Sequence, residues 1–237
     1  NKLYMPDAYG EAAVGHVPLY YGEETLLAWQ NFIAALAEHF KGRVTYWEIW
    51  NEPELPQFWR PAEPSNLEYL KLIQITAPII RAKCPGAKTG ACSHAVRHPY
   101  VLELMELGIA AFIDFYTVHA YKIVPEINFL EAVAEYRSVL DANGGRHVEI
   151  WQGESGYPSH FPPNHWMKPT VLDSERNQAK WSRLPDELVF SDGRHDSETV
   201  SDGQHDEQRS RETWHSAWPD LPAETVVLHD GFLLCRF

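Results

Sequence analysis

The sequence predicts an α/β fold in which a parallel sheet is covered by helices, and, between the two architectures of that kind, a (β/α)8 barrel rather than a doubly wound sheet. Three observations carry this. Short aromatic and β-branched runs alternate with stretches of helical periodicity, joined by brief connections rich in Gly, Pro and Asn. No GxGxxG follows a predicted strand and no GxxxxGK[ST] occurs, so the phosphate-cradling turns of a nucleotide-binding sheet are missing. Finally, Glu52, His94, His119, Tyr121 and Glu154 each fall where a predicted strand stops, the end at which barrels collect chemistry.

In chain order, Leu3 to Pro6 has the form of a strand tail, followed by a Tyr- and Gly-containing loop to Gly22. Glu23 to Phe40 is predicted as a helix, because Leu26, Leu27, Ile33, Leu36, Ala37 and Phe40 recur near period 3.6, acidic residues open it and Lys41-Gly42 close it. The run Val44 to Trp50 is the next strand. It stops at Asn51-Glu52-Pro53, where Pro53 removes a donor and biases Glu52 away from helix. Leu55 to Pro64, with Phe58, Trp59 and three prolines, reads as a loop, and Ser65-Asn66-Leu67-Glu68 as a capping box opening a helix to about Lys83. Pro78 within it predicts a kink or a late turn rather than a second element. Lys88 to Ala91 is a short strand ending in Cys92-Ser93-His94, Pro99 to Leu107 a helix stopped by Gly108, and Ile113 to Tyr121 a strand. Asn128, with Glu131 three residues on, opens a helix that Asn143-Gly144-Gly145 ends, and His147 to Gly153 is the strand that delivers Glu154. A further helix is expected from near Asp173 or Ser174, carrying Ala179 and Trp181.

The remainder, 185–237, differs in character. Ser191-Asp192-Gly193-Arg194-His195-Asp196 recurs ten residues later as Ser201-Asp202-Gly203-Gln204-His205-Asp206 in a polar stretch without apolar periodicity. Its Asp and His could hold a metal, but the Asp-Gly turns and the charge favour a solvated, irregular segment. Val226 to Phe237 has the composition of one last strand. The expected organisation is therefore a partial barrel domain over 1–184 and an atypical tail, foreign to the barrel, over 185–237.

Composition narrows the function. The formal net charge of -13 opposes a polyanion, and no basic patch offsets it, so nucleic acid is excluded as a partner. No apolar run approaches the roughly 20 residues of a membrane span. The three cysteines, Cys84, Cys92 and Cys235, are too irregularly spaced for a disulfide framework or a CxxC metal site, and neither a metal nor another cofactor has a signature; His94 and His119 lack any HxH or HExxH pattern and are read as pocket-lining or buried. Nine tryptophans and eleven tyrosines supply ring faces suited to sugars, although most aromatic residues pack cores.

Glu52 and Glu154 end strands that stand three apart. In a closed barrel that separation places two strand-end carboxylates across one pocket, an arrangement that can flank a glycosidic bond. Glu52 alone is explained as well by a turn as by chemistry, and Glu154 alone is better explained as a turn residue beside Ser155-Gly156; the coincidence of the two favours chemistry. Trp59 and Phe58 could form a sugar platform or pack the loop against the barrel rim.

Through Trp50-Asn51-Glu52-Pro53, Phe58-Trp59-Arg60-Pro61, His119-Ala120-Tyr121 and Gly153-Glu154-Ser155-Gly156, the chain resembles the clan A glycoside hydrolases, most closely family 39 and its relatives. The resemblance covers Leu3 to about Leu184. It implies a TIM barrel in which Glu52 ends strand four and Glu154 strand seven, so that the chain runs from about the end of strand three to helix seven and the first strands lie upstream. It implies a retaining O-glycosidase without cofactor, acting on a carbohydrate substrate, with Glu52 as acid/base and Glu154 as nucleophile. By the same resemblance Asn51 bonds the sugar 2-hydroxyl, Tyr121 orients Glu154, and His119 lines the pocket. The alternative from another class is a barrel remnant that binds carbohydrate or another partner without turnover. Sugar identity, compartment and oligomeric state are not encoded in any of these motifs.

Overall fold

The computed structural model describes residues 14–93, 99–119, 129–154, 175–176, 225–229 and 232–236. Four parallel strands alternate with helices: α1 (Gly22–His39), β1 (Tyr46–Ile49), α2 (Asn66–Lys83), β2 (Lys88–Ser93), α3 (Pro99–Glu106), β3 (Phe115–His119), α4 (Phe129–Ala142) and β4 (Glu149–Glu154). Short 3-10 turns at Pro18–Tyr20, Pro56–Phe58 and Ile109–Ala111 fill the connections. The strands lie side by side in the order β4-β3-β2-β1, each paired parallel with its chain neighbour, which is the wiring of consecutive βα units in a barrel wall. Among the described residues, no helix is long and apolar enough to cross a membrane.

Strand alternation separates two surfaces. Trp47 and Ile49 of β1 point outward into the buried cluster built with Ile33 and Ala37 of α1 and Leu72, Ile73, Ala77 and Ile80 of α2. On the other face, at the foot of the sheet, Tyr46, Phe115 and Trp151 meet ring to ring, with Phe115 and Trp151 stacked at 4.7 Å. Gly90 is required beside them, since a Cβ there would stand 2.3 Å from the Phe115 ring.

Local chemistry places the elements where the sequence puts them. Ser65 Oγ accepts from the Glu68 N–H (3.3 Å) and caps α2, which continues through Pro78 to Lys83 as one element. Gly108 takes the left-handed conformation after α3. Arg137 reaches from α4 to the carbonyls of Gly145 and Val148, both 2.5 Å, and fixes the turn into β4. At the opposite end of β2, Asp114 accepts from the Thr89 N–H and pairs with Arg81 and Lys88. Burial pulls its carboxyl up, but these donors outweigh burial and hold it below the ordinary 3.8.

The expected last strand over Val226–Phe237 is instead a hairpin: β5 (Thr225–His229) pairs parallel with β1, and β6 (Phe232–Arg236) runs antiparallel along β5. The predicted strand tail at Leu3–Pro6, the repeated segment 191–206, and Ala179 and Trp181 lie outside the described residues; Glu175 and Arg176 are helical.

Candidate active site

The residue that organises the site is Glu52, and the backbone presenting it is unusual. Trp50 (φ 70°) and Glu52 (φ 41°) both sit in the left-handed region, the only non-glycine residues to do so among those described. A bulky residue there costs on the order of 1–3 kcal/mol and persists only where its surroundings over-determine it. They do so here. The Trp50 indole donates to the Phe58 carbonyl (2.7 Å) and packs edge-on against Trp29 and Trp59. The Cys92 thiol of β2 lies under the turn, donating to the Trp50 carbonyl (3.3 Å) and accepting from the Glu52 N–H (3.2 Å). Tyr69 of α2 donates to the Ile49 carbonyl (2.7 Å) while its oxygen accepts from the Cys92 N–H (3.2 Å). Strand end, thiol and tyrosine form one clamp, and the Glu52 carbonyl then closes the following turn by accepting from the Leu55 N–H (3.0 Å).

The Glu52 carboxylate meets His119, the last residue of β3: Oε1 lies 2.8 Å from Nδ1. The same nitrogen lies 3.7 Å from Glu154 Oε2, at the end of β4. One oxygen of Glu52, one of Glu154 and a ring nitrogen of His119 thus fall within 4.8 Å of one another. Two strands that would otherwise have left Glu154 out of step are brought into line by a register shift between Val118 and His119, which pairs His119 with Glu154. Gly153 makes the approach possible. A Cβ on it would stand 2.9 Å from Thr117 Cβ and 3.0 Å from His119 Cδ2 and Nε2.

Glu52 and His119 are buried, whereas the Glu154 side chain is 30 % exposed, so the cluster opens towards solvent on the Glu154 side. Asn51 is buried beside Glu52, and its Oδ1 has no hydrogen-bond partner among the described residues. Burial alone would lower the affinity of His119 for a proton. Its hydrogen bond to Glu52 and the nearby carboxyls of Glu48 and Glu154 outweigh burial and hold its pKa above the ordinary 6.5.

The ligand types and spacing would also suit a cation, but the contact between Glu52 and His119 does not. Two donors each about 2.0–2.2 Å from one tetrahedral ion stand roughly 3.4 Å apart, whereas 2.8 Å is the separation of two atoms sharing a proton.

Of the residues expected from sequence, Asn51, Glu52, His119 and Glu154 converge. Trp59 does not join them as a platform: its ring is fully buried between Tyr20, Trp50 and Tyr69, and its indole donates to the Tyr20 hydroxyl (2.9 Å). It carries packing. Phe58 contributes its carbonyl to Trp50. His94 and Tyr121 lie outside the described residues. Two residues that sequence reasoning passed over line the same face: Cys92, which props the turn, and Glu48, whose carboxylate accepts from the Thr117 hydroxyl. The signal for Glu48 was present in Tyr46-Trp47-Glu48-Ile49, where alternation turns it to the face opposite Trp47 and Ile49.

Residues 4–138 match the family described as Glycosyl hydrolases family 39. A curated relative, a beta-xylosidase of Geobacillus stearothermophilus, is 36% identical over 69 residues, which is 26% of this chain and 13% of that protein. Among solved structures, a family 39 glycoside hydrolase from the gut symbiont Bacteroides cellulosilyticus WH2 aligns with a TM-score of 0.54 at 20% identity, covering 79% of this chain and 38% of that one. The likeness to that structure is one of fold, the barrel of which the described strands and helices make a part. The chain spans well under half the length of both relatives.

Proposed function

The chain belongs to glycosyl hydrolases family 39, and from that premise we propose that it carries the catalytic centre of an O-glycosidase working by double displacement with retention, Glu154 being the nucleophile and Glu52 the acid/base. The observation that carries this reading is the convergence of the two carboxylates, from strands three apart, on a single imidazole nitrogen. Carboxyl groups about 5–5.5 Å apart suit direct attack on the anomeric carbon, whereas a separation of about 6.5–9.5 Å is what an inverting enzyme needs to seat a water. Oxygens within 4.8 Å of a common nitrogen, and of each other, favour the former.

In the first step Glu154, the more exposed of the pair, attacks the anomeric carbon while Glu52 gives its proton to the departing glycosidic oxygen. In the second, Glu52 takes a proton from water, the hydroxide adds to the same carbon, and the bond to Glu154 breaks. His119 fixes the rotamer of Glu52 through its 2.8 Å hydrogen bond. Asn51, buried with an amide oxygen that has no partner among the described residues, would accept from the sugar 2-hydroxyl. The net charge of -13 suits a neutral glycoside. Because the curated relative is a beta-xylosidase, β-linked xylosides are the first substrates to try.

The test is hydrolysis of a panel of aryl β-glycosides by the full-length protein, with Glu52→Gln and Glu154→Gln as variants and the anomer of the first-formed product read by NMR. Both variants should fold and lose at least about a hundredfold in kcat. Wild-type turnover by the Glu154→Gln protein would remove the nucleophile. Sugar binding without turnover in the parent protein would favour a binding role.

A further inference from the structure

Beneath the two carboxylates lies a third. Glu48 is 1% exposed, and its position on β1 turns it to the same face as Thr117 and His119 of β3. One of its oxygens accepts from the Thr117 hydroxyl. The other, Oε1, has no hydrogen-bond partner among the described residues. A Glu48 oxygen, the Cys92 sulfur and a ring nitrogen of His119 lie within 4.8 Å of one another. A continuous line of polar groups therefore runs from the pocket into the interior of the sheet: Glu154 and Glu52 at the strand ends, His119 between them, then Glu48 and Thr117. The proposed reaction uses only the upper part of it.

We propose that Glu48 is a positioning residue for the acid/base: its carboxyl, anchored by Thr117, sets the proton occupancy of His119 and through His119 the orientation of Glu52. This rests on the glycosidase reading for its catalytic consequence, though not for its physical basis. A buried carboxylate with an unmatched oxygen is costly unless a counter-charge stands close by or a proton neutralises it. Among the described residues facing Glu48, the one that can supply positive charge is His119. The others are Cys92 on β2, Tyr69 on α2, Thr117 on β3 and Glu154 on β4, none of which carries a cation. His119 in turn faces Glu52, Glu48, Glu154 and Cys92. Burial raises Glu48 above its ordinary 4.5, against the pull of His119 and the Thr117 hydroxyl, while Glu48 itself helps to raise His119. Proton and charge are thus shared between one carboxyl that no substrate can touch and one imidazole that holds Glu52. A role in packing alone would be served as well by glutamine, which has the same shape; a role in setting charge would not.

The experiment is an NMR titration of the His119 imidazole in the full-length protein, assigned by loss of its signals in His119→Gln, compared between wild type and Glu48→Gln. Near-UV circular dichroism reports folding of each variant. The His119 midpoint should move to lower pH in Glu48→Gln, because the negative neighbour is gone. Thr117→Val, which leaves the carboxyl but removes its donor and so favours its neutral form, should move it in the same direction and covers the case in which Glu48→Gln fails to fold. With an active aryl glycoside assay, kcat should fall roughly 10- to 100-fold in Glu48→Gln with KM nearly unchanged, and the ionisation limbs of the pH profile should shift. An unchanged or raised His119 midpoint in whichever of the two variants folds would overturn the proposal. The titration needs no turnover, so an inactive parent protein would count against the glycosidase reading while leaving this result to stand or fall by itself.

Discussion

Replacing Gly153 by alanine tests whether the close packing of β4 against β3 is what seats His119 under Glu52. The added Cβ would stand 2.9 Å from Thr117 Cβ and 3.0 Å from two atoms of the His119 ring, roughly 0.5–1 Å inside the 3.5–4.0 Å of a comfortable carbon contact. Thr117 Cβ is fixed to the strand and cannot swing aside. The two strands are held in register from Phe115 to His119. The mobile partner is the imidazole, and moving it by about 0.5 Å carries a 2.8 Å hydrogen bond past the 3.2 Å at which such bonds lose their geometry. Overpacking of this kind costs about 1–3 kcal/mol, and for a chain of this length each kcal/mol lowers Tm by roughly 2–4 °C. Gly153→Ala should therefore melt some 2–12 °C lower by circular dichroism, and kcat on an aryl β-glycoside should fall at least about tenfold as Glu52 loses its orientation. A Gly153→Ala protein with wild-type kcat and unshifted His119 resonances would show that His119 is seated by something other than this contact.

Two further outcomes follow from the same geometry. Cys92→Ala removes both thiol contacts from a turn already in the left-handed region; with each net hydrogen bond worth about 0.5–1.5 kcal/mol and a thiol at the low end of that range, stability measured by urea denaturation should fall by about 1–2 kcal/mol, and an unchanged midpoint would mean that the turn is held from the Trp50 side alone. Stability should also fall as pH rises above about 4.5: the folded state holds protons on Glu48 and His119 more tightly than the unfolded chain does, so the contribution of His119 is complete below 6.5 and is lost as pH climbs through its raised folded value. Asp114, held low, acts in the opposite sense and loses its contribution only as pH drops below 3.8. Thermal melts across pH 3–9 read both limbs, and a stability rising steadily from pH 5 to 9 would contradict the placement of Glu48 and His119.

Much of this architecture was written in the order of residues. Alternating runs, the capping serine at 65 and the breaks at Gly108 and Gly144-Gly145 located the helices and strands, because each is a local signal with a local cause. Glu52, His119 and Glu154 stood out because all three end strands, and strand order alone put them on one rim. What the order of residues did not disclose depends on contacts across strands. The inward turn of Glu48 needed a decision about which face of β1 meets the helices. The bulge after Val118, which shifts β4 by one residue, has no turn motif to announce it. For Trp59 platform and packing stood level because exposure cannot be read from residue type; three aromatic neighbours enclose it. The apolar run Val226–Phe237 read as one strand because its division into β5 and β6, paired antiparallel, is a matter of cross-strand contact.

The three indoles behind the Glu52 turn form an optical instrument. Trp29, Trp50 and Trp59 stand in sequence with centroids 5.9 and 6.1 Å apart and planes steeply inclined, close enough for their excited states to mix and for excitation to pass among them before emission. The middle chromophore belongs to the very turn whose distortion presents the carboxylate. Any rearrangement there rotates one transition dipole against two others, so the chiroptical and emission spectra of the protein carry, without an added label, a running record of how its acid/base is held.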